Sequence, residues 1–156
     1  MRVYIVEDKA HKELIITLLN IPNRSVIIGG SRGETCKLLA KKENAIGIVD
    51  EDPRGPGLPE YLKKLSAEEL NGNIRKYRDF KRNNVILMLK PDAEGWGFDL
   101  SRRVKIDLQK LVGTTSFREF HDIINRRLDK WRLLIQNLES SNIPALQTLK
   151  LELLKP

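Results

Sequence analysis

Val3-Tyr4-Ile5-Val6-Glu7-Asp8 runs four apolar residues straight into two acids, and Ile46-Gly47-Ile48-Val49-Asp50-Glu51-Asp52 repeats the pattern further on. Two more apolar runs, Val26-Ile27-Ile28 and Val85-Ile86-Leu87-Met88-Leu89, belong with them. None alternates apolar with polar residues. A short continuous run of this kind reads as a strand buried on both faces, and such strands are usually parallel. Helical patterns lie between the runs. Ala10, Leu14 and Leu18 share one helix face. Ser31 and Glu34 have capping-box spacing ahead of Cys36-Lys37-Leu38-Leu39-Ala40. Strand, helix, strand, helix, strand predicts right-handed crossovers and a layered α/β fold on a short, mainly parallel sheet of about four strands.

Working outward, Pro53 to Pro59 holds three prolines and two glycines and reads as a loop leaving the third strand. Tyr61, Leu62 and Leu65 suggest a short helix, and residues 71–84 read as a polar, basic surface excursion. Beyond residue 113 the character changes. Ser116 and Glu119 form a second capping-box pattern, and Phe117, Phe120, Ile124, Leu128, Trp131, Ile135 and Leu138 then step by threes and fours. This predicts one long amphipathic helix over 117–138, broken by Ser141-Asn142-Ile143-Pro144 before a last helix carrying Leu146, Leu149 and Leu153. The division expected is an α/β domain over 1–113 and a helical extension over 114–156 packed on it. The long stripe suits packing on its own sheet or seating a second copy of the chain as a homodimer.

The chain has 156 residues, 40% hydrophobic and 31% charged, which suits one globular domain. No apolar run approaches the ~20 residues that span a bilayer, and charge arrives too early for a signal-peptide core, so the expected setting is the cytoplasm, with no membrane partner. One cysteine, Cys36, excludes an internal disulfide, and with two histidines it argues against structural zinc. The net charge of +7 fits an anionic partner, with nucleic acid first among them, and equally fits an ordinary charged surface.

Glu7, Asp50 and Asp52 all follow strands, at the edge where open parallel sheets bind ligands. If the backbone stays extended, Asp50 and Asp52 point the same way. Gathered carboxylates repel one another, and a divalent cation removes the conflict; oxygen ligands suit Mg²⁺ or Mn²⁺. The structural alternative is that Asp8 caps a helix and Asp52-Pro53 forms a turn. Gly29-Gly30-Ser31-Arg32-Gly33-Glu34 reads as a tight strand–helix turn from which Arg32 can reach a phosphate; it lacks the Gly-Lys-Ser/Thr of a P-loop. Arg54 is a second phosphate contact of the same kind. Arg75, Lys76, Arg78, Lys81 and Arg82 surround Tyr77 and Phe80, a pattern that fits a nucleic-acid backbone or a solvated loop anchored by two aromatics.

Val6-Glu7-Asp8-Lys9-Ala10-His11-Lys12 resembles the first motif of Toprim domains, and Ile48-Val49-Asp50-Glu51-Asp52 resembles their D-x-D motif. Leu89-Lys90-Pro91-Asp92-Ala93-Glu94-Gly95-Trp96 and Asn142-Ile143-Pro144-Ala145-Leu146-Gln147-Thr148-Leu149 resemble elements of small stand-alone Toprim-like proteins, some thought to accompany an ATPase. The resemblance implies a Toprim-like, Rossmann-like fold and Mg²⁺- or Mn²⁺-dependent phosphoryl transfer on nucleic acid, as in the OLD-type nucleases, with an ATPase as a protein partner. It implies Glu7 as general acid or base or metal partner and Asp50 and Asp52 as metal ligands; Glu94 is an auxiliary ligand or a helix-start charge. Asp8 replaces a customary glycine, and His11 stands near a customary aspartate.

Two other readings stay open. Arg2-Val3-Tyr4-Ile5-Val6-Glu7-Asp8 also resembles the start of a phosphoacceptor receiver domain, with Asp50 as acceptor. That family needs a hydroxyl after its fourth strand, where this chain has Met88-Leu89-Lys90, and a lysine after a fifth. A non-catalytic module binding nucleic acid or protein is the other.

Overall fold

A computed structural model of the chain describes residues 2–155. The elements run β1 (Val3–Val6), α1 (Lys9–Leu19), β2 (Val26–Ile28), α2 (Arg32–Leu39), β3 (Ala45–Asp50), α3 (Glu60–Lys63), β4 (Ser66–Leu70), β5 (Ile74–Asp79) and β6 (Asn84–Leu89). Helices α4 (Ala93–Arg103), α5 (Leu108–Leu111), α6 (Phe117–Arg126), α7 (Leu128–Ser140) and α8 (Pro144–Leu154) follow. The fold is α/β, on one sheet of order β2-β1-β3-β6-β5-β4.

The four apolar runs form the parallel part of the sheet, with β1 between β2 and β3 and β6 beside β3, but β2 is not buried on both faces as expected: it is the edge strand, and Ile27 and Ile28 are exposed. The sheet nevertheless has six strands, not four, because β5 and β4 continue it antiparallel. The expected surface excursion over 71–84 is thus largely strand. Its hairpin turns at Asn71-Gly72-Asn73, where Gly72 and Asn73 take φ of 75° and 60°. β4 hid itself as an exposed edge strand of sequence SAEEL. β5 hid itself because one of its inward residues is a lysine: Lys76 is buried and its Nζ lies 2.6 Å from Glu152 Oε2 on α8.

Strand alternation divides the core. Val6, Ile46, Ile48, Leu87 and Leu89 join the helices α1, α4 and α6 to α8 in one cluster. Ile5, Ala45, Val49, Ile86 and Met88 join Cys36, Leu39 and Leu62 in the other, beneath α2 and α3. Gly47 allows the second layer its close approach: a Cβ there would stand 2.5 Å from Leu39 Cδ1.

The apolar stripe over 117–138 forms two helices rather than one. Arg127 leaves helical geometry with φ −130° and ψ 78°, so α6 and α7 meet at a bend. The bend lets Phe120, Ile124, Trp131, Ile135 and Leu138 all reach the larger cluster, where one straight helix would run off it. α7 packs along α1, and Trp131 Nε1 donates to Ala10 O at 2.9 Å. Pro144 starts α8 at its first turn, and Tyr4 Oη donates to Leu153 O at 3.0 Å. Among the described residues, no strand follows β6 and no helix is long and apolar enough to cross a membrane.

Candidate functional site

β1, β3 and β6 end side by side, with Val6 level with Ile48 and Asp50 level with Leu89. Period two then sorts the acids. Asp50 shares the face of Ile48, toward α1, whereas Glu7, one residue past Val6, takes the opposite face, toward α2. Glu7 still reaches across, and Oε2 accepts from the Asp50 backbone N–H.

Asp8 is the N-cap of α1, accepting from the N–H groups of Ala10 and His11 at 3.0 and 3.2 Å. That cap places His11 between two carboxylates. His11 Nδ1 lies 2.8 Å from Asp8 Oδ1 and Nε2 lies 2.7 Å from Asp50 Oδ1. The ring is fully buried. Asp50 Oδ1 also accepts from the Ala93 N–H at 2.9 Å, which ties β3 to the start of α4. Glu7, His11 and Asp50 each offer a donor atom within 4.8 Å of the others.

The electrostatics follow from burial and crowding. Burial, then the Asp50 charge, push the Glu7 carboxyl up to about 7. Burial opposes charge on His11, but hydrogen bonds to Asp50 and Asp8 outweigh it and hold the imidazole proton well above the usual range. Burial likewise opposes charge on Asp8, and His11 outweighs it, so Asp8 lies below its ordinary value. Glu94, buried in the first turn of α4, is pushed up by burial and by the charges of Asp50, Asp8 and Asp92. Asp92, the N-cap of α4, is pushed up chiefly by burial.

Asp52 is placed apart from this group. β3 ends at Asp50, and Asp52 takes φ 47°, so strand alternation does not carry its side chain alongside that of Asp50. Asp52 is exposed, and its carboxylate lies over Gly55, where an added Cβ would stand 2.0 Å from Oδ2. It meets Glu7 instead on the lining of a cavity of about 800 Å³ beside α2.

Among the basic residues, Arg32 is buried and donates to the carbonyls of Glu51, Pro56 (2.6 Å) and Gly57 (3.2 Å), clamping the loop after β3. Arg54 is exposed on that loop. The residues from Arg75 to Arg82 do not share one surface. Lys76 faces α8; Arg75 pairs with Glu69; Arg78 and Lys81 are exposed near the β5–β6 turn, where Arg78 lies 5.9 Å from the Phe80 ring. Arg82 pairs with Asp79 at 3.1 Å. Cys36 is buried and its thiol is pushed up to about 12, chiefly by burial, which fits a packing role.

His11 is the site residue that sequence reasoning passed over. Its signal was the Asp8–His11 spacing at a helix start, beside Ala10 on the buried face. No family model, curated protein or solved structure matches the chain.

Proposed function

We propose that this protein carries out metal-dependent phosphodiester chemistry on nucleic acid, from a Toprim-like α/β fold with its acids at the ends of β1 and β3. The observation that carries the reading is the convergence of Glu7, His11 and Asp50 donor atoms within 4.8 Å at the carboxyl edge of the parallel strands.

The donor set fits a divalent cation. Two carboxylates at the sheet edge suit Mg²⁺ or Mn²⁺. The rise of Glu7 to about 7 marks a place with more negative charge than burial tolerates. Glu7 and Asp50 would hold the ion, with Asp52 reaching it from the adjoining cavity and Glu94 as an auxiliary ligand, while His11, whose two ring nitrogens are engaged by Asp8 and Asp50, stays outside the ligand set. When bound, such an ion neutralises charge on a phosphoryl group and lowers the pKa of water. The chain's own contribution is positional. The Asp8–His11–Asp50 relay fixes Asp50, and Glu7 serves either as a ligand or, left free of the ion, as the group that holds or releases a proton, its carboxyl standing at about 7 without metal. Nucleic acid, a partner ATPase and a cytoplasmic setting belong to the same proposal.

Calorimetric titration with Mn²⁺ tests it, comparing wild type with Asp50→Asn and Glu7→Gln, followed by cleavage assays on single- and double-stranded substrates. Binding that disappears in both folded variants, with metal-dependent cleavage lost alongside, is the expected result. Absence of binding by wild type, with or without nucleic acid, would overturn it.

A further inference from the structure

The cavity of about 800 Å³ lies between α2 and the segment leading through α3. Glu7, Asp52 and the first turn of α2 line one end; Ala40, Tyr61 and Arg82 line the other. The second end is fixed at the last turn of α2 because Asn84 Nδ2 donates to Leu39 O, Lys42 O and Tyr61 Oη. Eight residues of helix separate the ends, about 12 Å at 1.5 Å per residue.

The walls between are largely apolar, from Cys36, Pro56 and Pro59. Tyr61 is held by its hydroxyl, which donates to Asp79 Oδ2 at 2.8 Å. The cations on the lining divide in two. Arg32 is committed to carbonyls and Arg82 to Asp79. Lys37 and Lys64 are exposed and make no ion pair within 4 Å among the described residues, although Glu60 on the same lining, itself paired with Lys63, feels the charge of Lys64. Two glycines, Gly33 and Gly57, leave the lining bare: a Cβ at either would meet nothing within 4 Å. Gly33 sits in the first turn of α2 without a positive φ, so backbone conformation does not demand glycine there.

We infer that this groove seats a single-stranded segment of nucleic acid. One phosphodiester lies at the Glu7–Asp52 end and a neighbouring phosphate lies by Lys37 and Lys64, with sugar and base against the apolar wall and Tyr61. The inference rests on the phosphodiester reading for the role of the acidic end. An acidic end that takes a phosphate only through a bound cation and a basic end, separated by an apolar stretch, match a strand with at least two phosphates; a mononucleotide fills one end only. A cavity of this volume is of the size that takes small ligands, and a duplex does not enter it. Cations beside an apolar, partly aromatic wall are the usual means of holding single strands without reading sequence.

Fluorescence anisotropy with labelled oligonucleotides of about eight nucleotides, DNA and RNA, tests the assignment at low salt with Ca²⁺ as the cation. Single strands bind, and binding weakens as salt rises. Lys37→Glu/Lys64→Glu weakens binding about tenfold or more. Gly33→Leu, which fills the bare wall, weakens it comparably without lowering the melting temperature. The assignment is overturned if both variants bind like wild type, if a duplex of equal length binds as well, or if a mononucleotide displaces the strand at equal concentration. Mn²⁺ calorimetry on the same proteins keeps the two readings apart. Strand binding without metal binding sinks the metal chemistry and the phosphodiester at the acidic end, leaving only the lysine end and the apolar wall; metal binding without strand binding sinks the groove alone.

Discussion

His11 balances the charge of the acidic edge. With a carboxylate on each ring nitrogen and full burial, it holds a proton that supplies part of the positive charge a metal ion would otherwise bring. Glu7 lies outside that pairing and carries the remaining excess. Its carboxyl binds a proton more tightly in the folded chain than in the unfolded one, about 7 against 4.5. A raised carboxyl contributes stability that is complete below about 4.5 and is lost as pH rises through about 7. The raised His11 acts in the same direction: its contribution is present below 6.5 and is lost only as pH rises through its folded value. In EDTA, therefore, stability falls between pH 5 and 8, with Glu7 accounting for about 2–3 kcal/mol. Glu7→Gln keeps the acceptor for the Asp50 N–H and removes the titration, so its urea midpoint varies much less across that range. An unchanged slope in the variant would assign the titration to another group.

Among the elements, those legible in the sequence were the ones whose packing is simple. β1, β3 and β6 lie in the middle of the sheet and read as apolar runs, and β2 reads as one although it is an edge strand with Ile27 and Ile28 exposed; Ser31, Ser116 and Pro144 announced their helices by chemistry local to the first turn. β4 and β5 were not legible, because one is an exposed edge and the other buries Lys76 through a partner 76 positions away, Glu152. The break at Arg127 was hidden because the apolar spacing runs through it unchanged. For the site, Glu7 and Asp50 were legible as acids following strands. His11 was not, since its meaning depends on a crossing between α1 and β3, and Asp52 left its expected direction by a positive φ that the sequence marks only as a turn before Pro53. The α4–α7 contact carries a prediction of its own. A Cβ on Gly97 would stand 2.6 Å from Trp131 Cη2, and Trp131 is pinned by its hydrogen bond to Ala10 O. Helix propensity favours Gly97→Ala by about 1 kcal/mol, and overpacking opposes it by about 1–3 kcal/mol. The pinned ring decides the sign, and Gly97→Ala lowers the denaturation midpoint. A midpoint higher than wild type would mean that the ring yields freely.

Across the whole molecule, β5 and α8 are joined by the buried Lys76–Glu152 pair, with Lys155 Nζ 2.7 Å from the second Glu152 oxygen. Breaking such a pair from one side leaves a buried charge without its partner, which costs about 3–5 kcal/mol, whereas replacing both partners by apolar residues is often neutral. Glu152→Gln is accordingly strongly destabilising, and Lys76→Met/Glu152→Leu recovers most of the loss in urea denaturation. A double variant no better than the single one would mean that the pair contributes by geometry that apolar packing cannot replace.

The bond from Tyr4 to Leu153 O spans 149 positions of chain. At ribosomal speeds of about 5–20 residues per second, β1 waits on the order of ten seconds for α8 to emerge. During synthesis the nascent strands therefore keep an apolar face open to solvent, and the clamp of Trp131 over Ala10, which braces the helix bearing His11, closes late in that interval. The residues of the acidic edge are all made by the time α4 emerges, but its brace from Trp131 arrives only after translation has passed into α7.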